Sequence, residues 1–226
     1  MKLQKYREKR DFILTPEPRG SDRAEREGTG SLIYVVQKHM ASHLHYDFRL
    51  EWHGVLLSWA VPKGPSLDPK VRRLAMQTED HPVEYANFEG VIPEGYGAGT
   101  VMLWDRGTWQ PESAAVEASL QKGELKFTLQ GIKLRGAWVL VRTPGFGGSS
   151  RPTWLLIKHR DQYASTKDIT QAEPRSVTSH RLLAEIARDA GGDMERASLG
   201  DPGAQGRRRR GAKPARAGIE RKKQPG

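Results

Sequence analysis

Runs of strand character recur along most of the chain at short spacing, and turn residues break each one before it grows long. The runs are 31–37, 44–51, 55–61, 73–78, 99–104, 124–129, 137–142 and 153–158. Gly54, Pro62-Lys63-Gly64-Pro65, Asp105-Arg106-Gly107, Gly131 and the glycine-rich 145–150 separate them. That spacing predicts a mainly β domain, an antiparallel barrel or sandwich with a few short peripheral helices. Residues 113–122 read as a short helix, and 179–190 as a more amphipathic one carrying Leu182, Leu183 and Ile186 and ended by Gly191-Gly192. The expected division is an N-terminal arm at 1–30, the β domain at 31–165, a linker with a short helix at 166–200, and a disordered basic tail at 201–226. Phe12 and Leu14 are the residues expected to pin the arm.

The second run carries the chemistry. From Leu44 the residues alternate, with Leu44, Tyr46, Phe48 and Leu50 on one face and His45, Asp47, Arg49 and Glu51 on the other. An imidazole, a carboxylate and a guanidinium in a row are an unusual choice for a merely solvated face. His39 lies just before this strand, where a bend brings it back beside His45. Imidazole nitrogens with a carboxylate oxygen suit Mn or Zn better than Mg or Ca, and Arg49 stands where it can take an oxyanion in two-pronged fashion. His43 reads as a structural hydrogen-bonder and His53, before Gly54, as a hairpin cap.

A second patch begins with Arg73 at a strand start and reaches His81, which follows Glu79 and Asp80 and precedes Pro82. A neighbouring carboxylate can hold such a histidine in one tautomer or keep it protonated, as a general acid or a phosphate contact requires. The glycine-rich 90–99 lacks the Lys-Ser/Thr ending of a P-loop and is read as a tight turn entering the next strand.

With no cysteine among 226 residues, disulfides and thiolate metal sites are excluded. No apolar run approaches the roughly 20 residues needed to span a bilayer, and 1–6 has no apolar signal core, so no membrane role and a cytoplasmic, nucleoid-associated place are expected. The net charge of +10 is uneven: from Asp201 on, nine Lys and Arg stand against Asp201 and Glu220, a net +7. Such a tail binds phosphate backbones without sequence preference.

Several segments together resemble the 3′-phosphoesterase domain of the bacterial ATP-dependent DNA ligase D family, which also occurs free-standing. They are Lys9-Arg10-Asp11-Phe12 with Glu17-Pro18, the block 37–50, Trp59-Ala60-Val61-Pro62-Lys63-Gly64, Glu79-Asp80-His81-Pro82 with Tyr85, 88–93, and 154–158. The resemblance implies a compact β-barrel with a Mn²⁺-dependent site, Zn²⁺ or Co²⁺ being alternatives. It implies removal of a terminal ribonucleoside and then the 3′-phosphate from DNA 3′ ends, in support of non-homologous end joining with Ku and a DNA ligase as partners. Carried over, His39, His45 and Asp47 match metal ligands; Arg10, Arg49 and Arg73 match phosphate-binding arginines; His81 matches the catalytic histidine, with Tyr85, Glu79, Asp11 and Glu17 in support. Met40 departs from the family pattern at a position that is not a ligand. Two rival readings are a non-catalytic DNA-end-binding adaptor that recruits a ligase, and a metal-dependent phosphatase acting on small molecules.

Overall fold

In the computed structural model, residues 3–20, 31–144 and 153–203 are described. The polar loop 21–30, the glycine-rich 145–150 and the basic tail from 204 onward lie outside the described residues. Antiparallel hairpins dominate, as the short connections dictate. β1 (Ile33–Met40), β2 (Leu44–Trp52), β3 (Val55–Val61) and β4 (Arg72–Gln77) follow one another in space, then β10 (Thr153–Lys158), β9 (Arg135–Thr143), β8 (Glu124–Gly131) and β7 (Gly99–Pro111). Pairing of β7 with β1 closes these eight strands into a barrel, so none of them is left as an open edge. Two short strands attach outside the ring: β5 (His81–Pro82) pairs with β3 and β6 (Gly90–Ile92) with β7.

Alternation puts Tyr46, Phe48 and Leu50 of β2, Trp59 and Val61 of β3, and Trp138, Trp154 and Leu156 in one buried cluster within the barrel. The opposite face of β2 is not solvated. A second cluster of Tyr6, Val35, Leu56, Tyr85, Ala86 and Leu103 covers the outer wall beside it, and Tyr6 is fully buried there. Tyr6 sits on α1 (Gln4–Glu8) and its hydroxyl donates to Pro18 O at 2.6 Å, tying two parts of the arm together where Tyr6 packs on the barrel. Phe12 packs against this cluster, as expected, but Leu14 is 51% exposed and pins nothing.

The other helices are α2 (Val116–Lys122), α3 (Ile169–Ala172), α4 (Leu183–Asp189) and α5 (Met194–Ser198), with a 3₁₀ turn at Val83–Asn87. Helix α4 starts later than the periodicity predicts: the Ser176 hydroxyl accepts from the amides of Thr178 and Ser179 and holds a turn there. Its first N–H groups, Leu183 and Ala184, are taken by the Asp201 carboxylate. Ile169, Leu183, Ile186, Ala187 and Ala197 all join the main core cluster, so the segment expected as a linker packs onto the barrel.

One turn signal misleads. Asp105-Arg106-Gly107 lies inside β7, which runs unbroken for 13 residues past a bulge opposite Val36 and Gln37. The Asp105 carboxylate is fully buried and accepts from Tyr34 OH and from the amides of Lys133 and Leu134. Those long-range partners fix it as a strand residue. The glycine-rich 90–99 is likewise a β6–β7 hairpin rather than a tight turn alone. Gly99 is obligatory in it, since a Cβ there would lie 2.1 Å from Met40 O.

Candidate metal and phosphate site

His39 on β1 faces His45 on β2 as a directly paired position, and their ring centroids are 4.8 Å apart. Asp47, two residues on, shares the same outer face. Its Oδ2 lies 3.6 Å from His39 Nδ1 and 3.6 Å from His45 Nε2, and one ligand atom from each residue falls within 4.8 Å of the others. Each ring is aimed by its far nitrogen. His39 Nε2 meets Gly97 O at 2.9 Å, and His45 Nδ1 meets His43 O at 3.0 Å. A carbonyl only accepts, so both far nitrogens donate, and the near nitrogens are left to point lone pairs at the space beside Asp47. Gly97 holds φ 80, the left-handed backbone that presents its carbonyl there. Two imidazole nitrogens and a carboxylate oxygen with this bracing fit a divalent transition ion.

Arg49 extends the site along β2. Its Nη2 lies 3.3 Å from Asp47 Oδ2, its Nε donates to Gln37 Oε1 at 2.9 Å and its Nη1 to Ser58 Oγ at 2.8 Å. Gln37 is itself fixed, its amide nitrogen donating to the carbonyls of Tyr85 and Phe88. Burial by itself pushes the Asp47 carboxyl up, but the Arg49 guanidinium, with the two histidines, outweighs it and holds Asp47 well below the usual carboxylate range.

The arm supplies the third part. Arg10 stacks over the Tyr6 ring at 3.9 Å and donates through Nε to Glu17 Oε1 at 2.9 Å. Glu17 also accepts from Tyr85 OH at 2.9 Å and from the Thr15 hydroxyl. Glu79 approaches Arg10 Nη1 at 3.4 Å and Lys9 Nζ at 2.8 Å. Arg10 Nη2 is 3.3 Å from His81 Nε2, and His81 Nδ1 is 2.9 Å from Glu79 O. The sequence led us to expect a carboxylate beside His81; the structure puts a backbone carbonyl there. Nδ1 therefore donates, Nε2 accepts, and burial together with Arg49 and Arg10 keeps His81 well below the usual imidazole range, hence neutral near pH 7.

His39, His45, Asp47, Arg49, Arg10, Glu17, Glu79, His81 and Tyr85 thus line one cavity of about 670 Å³. Two expected members do not line it. Arg73 sits on the strand face of Ala75 and Gln77, opposite Leu156, and its Nε is buried without a hydrogen-bond partner among the described residues. Asp11 is exposed and accepts from the amide of Ile13, bracing the arm's turn. The exposed His43 contributes its carbonyl, and His53 occupies the tight β2–β3 turn at φ 48. Gln37, Ser58, Lys9 and Tyr96 were not singled out from the sequence. Gln37 was within reach, because it alternates with His39 on β1; Ser58 and Lys9 offer no comparable signal. Tyr96 stands at the cavity mouth with Lys9 Nζ 4.5 Å from its ring centroid.

Residues 37–142 match the family model of the DNA ligase D 3′-phosphoesterase domain. The chain carries a domain of that family. It is 54% identical over 185 residues to the multifunctional non-homologous end joining protein LigD of Pseudomonas aeruginosa, covering 80% of this chain and 22% of that protein. The multifunctional non-homologous end joining DNA repair protein LigD of Mycobacterium tuberculosis is 46% identical over 162 residues, 71% of this chain and 20% of the relative. LigD of Mycolicibacterium smegmatis is 41% identical over 167 residues, 71% and 21% respectively. The chain spans about a fifth of the length of the curated relatives it matches. Among the described residues of the domain, no helix is long and apolar enough to cross a membrane.

Proposed function

We propose that this chain is a metal-dependent phosphoesterase that processes DNA 3′ ends, removing a terminal ribonucleoside and then the remaining 3′-phosphate, in support of non-homologous end joining. The observation that carries the reading is the convergence, in one cavity, of a braced His-His-Asp set with two arginines and a neutral histidine. The family match and the names of the relatives support it; Ku and a ligase as partners rest on the family resemblance alone.

His39, His45 and Asp47 would hold the ion, Mn²⁺ in this reading, with Zn²⁺ or Co²⁺ as alternatives; when bound it supplies Lewis-acid charge at the phosphoryl oxygens. Arg49 and Arg10 hold the phosphate. Each is locked by carboxylate and amide partners, so little order has to be created when the substrate arrives. His81 begins neutral, with its Nε2 lone pair held toward Arg10. Burial depresses its pKa most, and an anion between the two arginines offsets the remaining share that their charges cause; a proton taken up from solvent at Nε2 then passes to the departing oxygen as a water oxygen bonds to phosphorus and the ester bond breaks. Tyr85 and Glu17 position Arg10, and Gln37 and Ser58 position Arg49.

The test is a set of end-labelled primer-templates ending in a ribonucleotide, a 3′-phosphate or a plain deoxynucleotide, incubated with Mn²⁺. The expected result is stepwise shortening of the first to a 3′-hydroxyl, conversion of the second, and no action on the third. Salt-sensitive binding of all three without cleavage would favour the adaptor reading.

A further inference from the structure

The cavity does not end at the His-His-Asp set. A second groove of about 380 Å³ runs between the β6–β7 hairpin and the α4–α5 pair, and Ile92, Ala98 and Arg196 line both. Arg196 is the one cation among the described residues lining this groove. It stands on a fixed support. Gly192 packs so closely on β6 that a Cβ there would lie 2.6 Å from Val91, and Ala197, beside Arg196 on α5, is buried. Arg196 is an exposed residue whose Nη2 donates to Ala41 O, and it has no ion-pair partner among the described residues. Asp193 also lines the groove, but its Oδ1 already accepts the Arg196 amide.

A strand whose terminal phosphate is held by Arg10 and Arg49 must leave over one rim. On the arm side the cation is already engaged, since Lys9 is bonded to Glu79 and Tyr96. The other rim offers an arginine with uncommitted N–H groups and a groove that continues past it. We propose that this groove receives the body of the strand, with Arg196 contacting the first internucleotide phosphate next to the reacting one. The inference rests on the reading of the site as acting on a nucleic-acid 3′ end, and makes Arg196 a substrate-binding residue that discriminates a strand from a small phosphate ester.

The test is a binding cycle read by fluorescence anisotropy, using an oligonucleotide with a 3′-phosphate and EDTA to stop turnover. The linkage next to the 3′-phosphate is either a phosphodiester or an uncharged methylphosphonate. Wild type should bind the methylphosphonate strand about tenfold more weakly, the loss of roughly one charge-assisted hydrogen bond. Arg196→Ala should bind both strands equally weakly and Arg196→Lys should fall between, while Glu195→Ala, on the same helix, should keep the wild-type ratio. An unchanged ratio in Arg196→Ala, no methylphosphonate effect in wild type, or no binding at all would overturn the inference. Cleavage with Mn²⁺ separates the two readings. Cleavage without coupling removes Arg196 alone, and coupling without cleavage removes the end-processing reading while leaving Arg196 on the strand.

Discussion

Arg49 Nη2 lies 3.3 Å from Asp47 Oδ2, so one buried carboxylate joins the histidine pair to the arginine cluster. The same oxygen faces His39 and His45 at 3.6 Å. The candidate metal ligands and the arginine cluster therefore share a single carboxylate oxygen.

Asp47→Asn removes that group's charge with little change in shape. The expected result is loss of Mn²⁺ binding by more than the roughly 10–100-fold that an outer-shell partner is worth. Calorimetric titration measures it, with circular dichroism confirming the barrel.

Arg49→Lys keeps a charge but loses the fork. Gln37 Oε1 and Ser58 Oγ are left in a buried site without their guanidinium partner, at a cost of about 1–3 kcal/mol in denaturant unfolding. On a 3′-phosphate end, kcat/KM should fall by about 10²–10³, the scale of losing one charge-stabilising donor. A lysine variant within a few-fold of wild type would show that the bidentate geometry does not matter.

His81 gives the pH signature. Its folded pKa is lowered, mainly by burial and then by Arg49 and Arg10. Below the unfolded value of about 6.5 the unfolded chain binds a proton that the folded site refuses, so stability falls as pH drops through that window. The slope for one such group is at most about 1.4 kcal/mol per pH unit. With EDTA present, His81→Gln should unfold with a flatter dependence between about pH 6.5 and 5 than wild type. Equal slopes would mean that His81 is not held neutral.

Much of this was legible in residues, and the failures have physical causes. The two faces of β2 follow from strict alternation, and His39 opposite His45 follows from the bend between them. Parity also places Arg73 with Ala75, on the face away from Met76, which lines the cavity; the resemblance assigned it to phosphate binding regardless. The course of β7 through Asp105-Arg106-Gly107 was hidden, because what keeps it extended is Tyr34 OH and two amides from 133–134. The docking of α1 was hidden too: five residues have no periodicity to read, and the socket of Tyr6 is built by Val35, Leu56, Tyr85 and Leu103, far along the chain. The tautomers of all three site histidines depend on backbone carbonyls of His43, Glu79 and Gly97, which no residue pattern encodes.

Glu17 is the joint between arm and barrel, taking hydrogen bonds from Arg10, Tyr85 and Thr15 while 5% exposed. Glu17→Gln leaves Arg10 without its closest carboxylate partner in a buried place, at a cost of roughly 3 kcal/mol. Tyr6 is the one buried apolar side chain among the described residues of the arm, so the loss should appear as the arm's release. Hydrogen exchange at the amides of 4–10 should rise, with β-strand protection unchanged, and phosphate affinity should fall with it.

His39, His45 and Asp47 are proposed as the metal centre at which a DNA 3′ end is cut. The most direct test of that assignment is single-turnover cleavage, with Mn²⁺, of an end-labelled primer bearing one 3′-terminal ribonucleotide, by wild type and by His45→Ala. Wild type should shorten the primer, and the variant should leave it intact while still binding it. Cleavage by both proteins at similar rates, or binding by both with cleavage by neither, would contradict the assignment.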